Sequence, residues 1–230
     1  MRQAMACDGV RVRYGGIEVL HGIRLAAAYG TFAALIGPNG AGKTTLLDWC
    51  AGAATEASGT GGRLHLAGAE ATAWSAARRA RAGLRYVPFE RNVFPGLSVL
   101  ENLRATRDRG TGRASSGTLS GGSSADSALE LFPELARLAD RSAGVLSGGE
   151  RQLLAVACAL HGHGSVLLLD EPTHGLAPEL ADRVVAELAR TAHEDGRAVL
   201  VAEPGADKLA GHADFLWPLD RGQRTPASGA

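Results

Sequence analysis

Apolar residues along this chain fall into two patterns. Short unbroken runs recur, and between them lie longer stretches with apolar positions three and four apart. Thr31-Phe32-Ala33-Ala34-Leu35-Ile36, Ser165 to Leu169 and Ala198 to Ala202 are runs of the first kind. Such runs are expected of strands buried on both faces of a parallel sheet. Arg63-Leu64-His65-Leu66 predicts a short strand, and Leu84-Arg85-Tyr86-Val87 one stopped by Pro88. Residues 9–25 alternate loosely around Gly15-Gly16 and predict a hairpin. Helical spacing follows residue 44. It returns in a basic stretch at 75–82, expected to be a solvated face, and at Leu129, Phe132, Leu135 and Leu138, where Pro133 should interrupt the helix. Leu153, Leu154, Ala157 and Leu160 mark a helix over 150–160, and Pro178 opens another that runs towards Gly196.

Strands and helices alternate, which predicts an α/β fold with a mostly parallel sheet covered on both faces and an antiparallel β part at the N-terminus. From about 89 to 158 no comparable buried strand occurs, so a helical subdomain inserted into one domain spanning 1–220 is expected. Residues 52–62 and 108–125 are Gly-, Ser- and Thr-rich and predict loops, the second a mobile one. Residues 221–230 are expected to form a flexible tail.

Composition adds limits. With 230 residues, 45% of them hydrophobic, the chain can bury a core of one large domain. Its 24 basic and 24 acidic residues balance, so no global charge points to nucleic acid or an anionic membrane surface, and no nucleic-acid partner is expected. Cys7, Cys50 and Cys158 are scattered and suggest reduced thiols rather than a disulfide framework or a metal site. His161 and His163 are too isolated for a metal. Met1 to Val10 has no apolar signal-peptide core, and no run approaches the ~20 apolar residues of a membrane span.

Chemistry concentrates in three places. Gly37-Pro38-Asn39-Gly40-Ala41-Gly42-Lys43-Thr44-Thr45 fits the phosphate-binding P-loop, between an apolar strand and a helix. Glycines 37, 40 and 42 let backbone N–H groups converge on an anion at a helix N-terminus. Lys43 reaches the β- and γ-phosphates, and the Thr44 hydroxyl is a hard ligand for Mg²⁺. Val166-Leu167-Leu168-Leu169-Asp170-Glu171-Pro172 ends an apolar strand in two carboxylates. Asp170 suits Mg²⁺, held through water, and Glu171 can polarise a water for attack on a γ-phosphate. Leu146-Ser147-Gly148-Gly149-Glu150-Arg151-Gln152 is a second glycine-rich helix start, with Ser147 as a natural N-cap. Tyr14 has two readings on spacing alone, a platform for an adenine ring or a half-buried strand tyrosine.

A P-loop, an LSGGE-R-Q stretch and a strand ending Asp-Glu-Pro, in this order, resemble the ATPase subunit of an ABC transporter. The resemblance covers nearly the whole chain. It implies ATP and Mg²⁺ as cofactors, and a dimer in which Ser147, Gly148, Gly149 and Glu150 of one copy close over the nucleotide of the other. It also implies membrane-spanning permease partners and a place at the cytoplasmic face of the plasma membrane. Tyr86-Val87-Pro88, Asn92 to Val99, Glu101-Asn102-Leu103, Leu131-Phe132-Pro133 and Gly175-Leu176-Ala177-Pro178 are similar to the importer ATPases for branched-chain amino acids. Related ATPases for urea or short amides share these stretches. By the same resemblance, residues 173–177 match the loop that crosses the dimer interface. His174 either approaches the partner's site or is an ordinary turn histidine.

Two positions depart from the family pattern. Phe89 stands where most members carry glutamine and the branched-chain subclass often carries glutamate, with Glu90 next in line. A phenyl ring offers no oxygen to Mg²⁺ or water. Pro204 stands where most members have histidine and the subclass often glutamine. It has no side-chain hydrogen bond to give. The motor reading therefore competes with a second, a nucleotide-binding subunit that supports hydrolysis by a partner ATPase. A soluble P-loop kinase does not need the LSGG stretch. Leu119-Ser120-Gly121-Gly122 repeats those letters without the charged helix start and is expected to be loop composition.

Overall fold

The hairpin at Gly15-Gly16 forms and is longer than its alternation suggests. Strand β1 (Gln3–Tyr14) pairs antiparallel with β2 (Ile17–Ala28) along nearly its whole length. The structure is a computed structural model that describes residues 2–90, 92–106 and 125–225. Strand β3 (Thr31–Ile36) leads into helix α1 (Lys43–Ala51). Strand β4 (Gly59–Leu66) begins inside the stretch expected to be a loop. Gly59, Thr60 and Gly61 pair with Arg13, Val12 and Arg11 of β1, and that ladder overrides the low strand preference of glycine. A two-residue strand, β5 (Ala69–Glu70), closes a four-stranded antiparallel sheet in the order β2-β1-β4-β5.

Helix α2 (Ala76–Arg81) starts at a Ser75 cap and precedes β6 (Leu84–Val87). Its expected solvated face holds for Ala76, Ala77, Arg78 and Arg81, which are exposed, but not for Arg79, which is only 5% exposed. Its guanidinium donates to the carbonyls of Trp49, Cys50, Thr72 and Trp74. Among the described residues, four α-helices follow, α3 (Val99–Ala105), α4 (Ala125–Leu131), α5 (Pro133–Ala136) and α6 (Gly148–His161), with a 3-10 turn at Ala143–Val145 before the last. Pro133 separates α4 from α5, as its missing N–H requires. The second LSGG at 119–122 and most of the 108–125 stretch lie outside the described residues.

Strand β7 (Val166–Asp170), helix α7 (Pro178–His193) and β8 (Ala198–Glu203) complete the sequence-predicted elements. Two strands come after them. β9 (Phe215–Asp220) pairs parallel with β3, and β10 (Gln223–Arg224) pairs antiparallel with β9. Residues 221–225 are thus no loose tail, while 226–230 lie outside the described residues. Pro218 hides β9 from a strand reading, since it removes a ladder donor. The six-stranded sheet runs β10-β9-β3-β8-β7-β6, parallel except for β10.

Alternation along these strands divides the core. Phe32, Ala34, Leu167, Leu169, Val199 and Val201 face a cluster built with α3 to α7. Ala33, Leu35, Leu168, Leu200 and Ala202 face a second cluster built with α1 and the antiparallel sheet. Helices α1 and α6 therefore stand on opposite faces of the large sheet.

Candidate functional site

Parallel register brings the chemistry to one edge. Ile36 lies beside Glu203 in the β3–β8 pair, Asp170 beside Ala202 in the β7–β8 pair, and Val87 beside Leu169 in the β6–β7 pair. The residues that follow, Gly37, Pro204, Glu171 and Pro88-Phe89, leave the sheet at its carboxyl end. That is where open α/β sheets bind ligands.

The P-loop wraps the start of α1. Gly40 and Gly42 take positive φ angles of 81° and 99°, and Gly42 is the helix N-cap. Pro38, Asn39 and Gly40 form the exposed rim, and Thr45 is half-buried on the first turn. Lys43 is 5% exposed, and its Nζ donates to the carbonyls of Gly37 at 2.7 Å and Pro38 at 3.2 Å. Its charge therefore sits within the loop. Tyr14, at the end of β1, is half-buried. Burial and the nearby Asp48 carboxylate push its phenol up, while a hydrogen bond with the Thr45 side chain pulls it down. The structure thus places Tyr14 against the first turn of α1.

Thr44 and Asp170 meet. Thr44 Oγ1 donates to Asp170 Oδ2 at 2.6 Å, across 126 residues of sequence. Asp170 is 0% exposed, and its Oδ1 is buried without a hydrogen bond. Burial pushes the Asp170 carboxyl up, the Thr44 bond opposes that, and the Glu171 charge adds to it. A free carboxylate oxygen beside a hydroxyl oxygen fits a hard divalent cation, whose remaining ligands would be phosphate and water. The donor set therefore suits Mg²⁺. No group of three or more His, Cys, Asp or Glu side chains that could hold a metal occurs among the described residues.

Glu171 is unusual in its backbone. Its φ of 47° lies in the left-handed region, which costs a non-glycine residue about 1 kcal/mol or more. Surrounding bonds hold it there. Its N–H donates to Ala202 O at 2.8 Å, and its carbonyl accepts from His174 N at 3.0 Å and from Gln152 Nε2 at 3.0 Å. Asn92 Nδ2 donates in turn to Gln152 Oε1 at 2.8 Å. His174 Nδ1 lies 3.5 Å from Glu171 Oε2, and the Phe89 ring meets the His174 ring edge-on, with centroids 5.0 Å apart. Glu90 is exposed.

Ser147 caps α6. Its Oγ accepts from Glu150 N at 3.2 Å, and Glu150 Oε2 accepts from Ser147 N at 2.7 Å. The Ser147 N–H and hydroxyl, both hydrogen-bonded to the Glu150 carboxylate, hold it below its usual range. Gly149 packs on the loop that follows Glu171. A Cβ there would lie 2.6 Å from Gly175 O, so only glycine fits.

Some contacts at this edge escape sequence reasoning. Glu203 is buried and accepts from Thr173 N at 3.1 Å and Thr173 Oγ1 at 2.8 Å, while Lys208 Nζ donates to Thr173 Oγ1 at 3.2 Å. The link from Asn92 through Gln152 to Glu171 joins three separate elements. Gln152 belongs to a motif that the sequence singles out, but nothing local tells which way it faces. Thr173 lies in the loop that the sequence singles out, but nothing local pairs it with Glu203.

The chain is similar to known proteins along most of its length. The family model described as ABC transporter matches residues 20–174. The chain is 34% identical over 222 residues to the high-affinity branched-chain amino acid transport ATP-binding protein BraG of Pseudomonas aeruginosa, covering 95% of this chain and 90% of that one. It is also 34% identical over 219 residues to the probable branched-chain amino acid transport ATP-binding protein LivF of Archaeoglobus fulgidus, covering 91% and 85%. The phosphonates import ATP-binding protein PhnC of Stutzerimonas stutzeri is 36% identical over 213 residues, covering 87% and 75%. Among solved structures, the dimeric post-hydrolysis state of the ATP-binding cassette MJ0796, bound to ADP and Pi, superposes with a TM-score of 0.79 at 23% identity, covering 98% of this chain and 100% of that one. The ADP conformation of the cassette MJ1267 gives 0.76 at 24%, covering 98% and 90%. Those two likenesses show the fold. No helix among the described residues is long and apolar enough to cross a membrane. The chain belongs to the ABC transporter family, as an ATP-binding subunit of a transporter and an ATPase.

Proposed function

We propose that this chain is the ATP-hydrolysing subunit of an importer for branched-chain amino acids or related small solutes. It works as a dimer, with itself or with a second ATPase subunit, beneath membrane-spanning permease subunits at the cytoplasmic face of the plasma membrane. The observation that carries the reading is the Thr44–Asp170 contact with its free carboxylate oxygen, one residue before Glu171 and at the mouth of the P-loop. The branched-chain assignment rests on the names of the BraG and LivF relatives; the PhnC relative, of similar identity, makes it the weaker half.

In this reading the amides of Gly37 to Gly42 and the Lys43 ammonium hold the β- and γ-phosphates, and Tyr14 lies under the adenine. Thr44 and Asp170 hold Mg²⁺, which when bound offsets charge on the transferring phosphoryl group. Glu171 polarises the attacking water. Ser147, Gly148, Gly149 and Glu150 act on the nucleotide of a partner chain. Support for the partner comes from topology, because α6 is packed on the opposite face of the sheet from α1.

Lys43→Ala should abolish ATP binding, measured by calorimetry. Glu171→Gln should keep binding, lose turnover and accumulate an ATP-bound dimer in gel filtration. If Glu171→Gln left hydrolysis and dimerisation unchanged, Glu171 would not be the base. The solute is tested by deleting the gene and comparing uptake of labelled leucine with that of a phosphonate. A second reading draws on Phe89 and Pro204, which offer no polar side chain at the site edge. There the chain lends its LSGG to a competent partner. Tight ATP binding with no turnover by the purified chain would favour it.

A further inference from the structure

The backbone of Glu171 is fixed from three sides, by Ala202, Gln152 and the turn to His174. Backbone bonds alone do not orient a carboxylate, which still turns about its own side-chain bonds. Neither Pro204 nor Phe89 can do so. Pro204, at the end of β8, has no donor, and Phe89, after β6, has no polar atom.

His174 fills that role geometrically. The turn bond from His174 N to Glu171 O folds the chain so that the two side chains lie together, with Nδ1 3.5 Å from Oε2. On its other side the imidazole meets the Phe89 ring at an interplanar angle of 77°, an edge-to-face contact. Phe89 is 38% exposed and the His174 side chain 62%, so the imidazole lies at the surface between a carboxylate and an apolar ring. We infer that His174 is a positioning residue for Glu171 and that Phe89 is the wall that keeps it there. At 3.5 Å the pair is an ion-pair contact rather than a formed hydrogen bond; an Nδ1–H that closes on Oε2 fixes one carboxylate oxygen and leaves the other to the water. Phe89, a departure that looks like a loss, then has a use as the packing partner of His174. The inference rests on the reading of Glu171 as the group that polarises water.

The test compares ATP turnover, the KM for ATP and the melting temperature of the purified chain and four variants. His174→Leu keeps bulk but removes the nitrogen. His174→Asn keeps an N–H donor near the place of Nδ1. Phe89→Ala removes the wall, and Glu171→Gln is the reference. A group displaced by about 1 Å can lose about 10²-fold in rate. We expect kcat to fall about tenfold or more in His174→Leu, to recover most of that in His174→Asn, and to fall in the same direction in Phe89→Ala, with KM and melting temperature unchanged. If His174→Leu keeps wild-type kcat while Glu171→Gln is inactive, the positioning role is overturned and the base assignment stands. Equal losses in His174→Leu and His174→Asn with a lowered melting temperature also overturn it, since a turn residue would behave so. A wild-type chain without turnover, or an active Glu171→Gln, removes the base and with it the need to position one.

Discussion

At the scale of single residues, burial decides what each charge can be used for. Glu203 is a carboxylate at the end of β8, and desolvation pushes it up from its ordinary value of 4.5. The two Thr173 donors and the Lys208 charge oppose that only in part. A raised native pKa means that the folded chain keeps a proton which the unfolded chain has already released. That contribution is complete below the unfolded value and is lost as pH rises through the native one. Glu203→Gln stays neutral at every pH, and its amide oxygen still accepts from Thr173. The stability of the wild type relative to this variant should therefore fall as pH goes from about 4 towards 7, followed by urea denaturation. A difference that stays flat with pH would mean that Glu203 is ionised without penalty. Pro204 is the reverse case, an exposed residue with nothing to donate. If the missing side chain limits turnover, Pro204→His should raise kcat, by up to the 10²–10³ that one preorganised donor is typically worth. An unchanged kcat would place the limit elsewhere. Asp170, Thr44 and Lys43 were legible in the sequence because each sits inside a contiguous motif whose spacing is itself the signal. Thr173, Glu203 and Gln152 were not, because their partners lie 19 or more residues away and no local pattern records them.

At the scale of elements, the unbroken apolar runs at β3, β7 and β8 read correctly because a strand buried on both faces has no polar side to confuse. β9 failed that test through Pro218, and the first half of β4 through its glycines. Helix α2 was placed correctly and most of it is exposed, but its basic composition hid one inward residue. Arg79 turns inward, and its guanidinium takes two carbonyls from the last turn of α1, those of Trp49 and Cys50. Helix C-termini leave such carbonyls unpaired and favour a positive charge. Arg79 thus closes the far end of the helix whose near end is the P-loop. Arg79→Met should cost about 2–3 kcal/mol in chemical denaturation, the net loss of several charge-assisted bonds. Arg79→Lys should recover little, since one ammonium cannot reach four carbonyls held in a fork. A loss below about 0.5 kcal/mol would mark Arg79 as an ordinary surface residue.

At the scale of the whole molecule, sequence alternation gave the α/β class and the two covered faces, but not the way the chain returns to its own nucleotide loop. Gly222 does this. Its N–H donates to Ala41 O at 2.9 Å, inside the P-loop, and its carbonyl accepts from His21 N at 3.0 Å, in β2. Its φ is 72°, and a Cβ would lie 1.9 Å from Val19 O, so a side chain has no room. Gly222→Val should lower stability by about 2 kcal/mol or more and weaken ATP binding with it, read by thermal melting and calorimetry. Lost stability with unaltered ATP affinity would separate the clamp from the site.

That return has a consequence for how the protein is made. β3 is complete at Ile36, yet its neighbours in the sheet, β8 and β9, begin at Ala198 and Phe215. Ribosomes add about 5–20 residues each second, so the strand leading into the P-loop waits many seconds, apolar and unpaired. The antiparallel sheet can close meanwhile, because β1, β2 and β4 emerge early and lie close in sequence. ATP rescues a protein from unfolding only by binding its folded form. For most of its synthesis, then, this chain is an ATPase that its own nucleotide cannot protect, and only the face of β3 that packs on the early antiparallel sheet has its partners at hand.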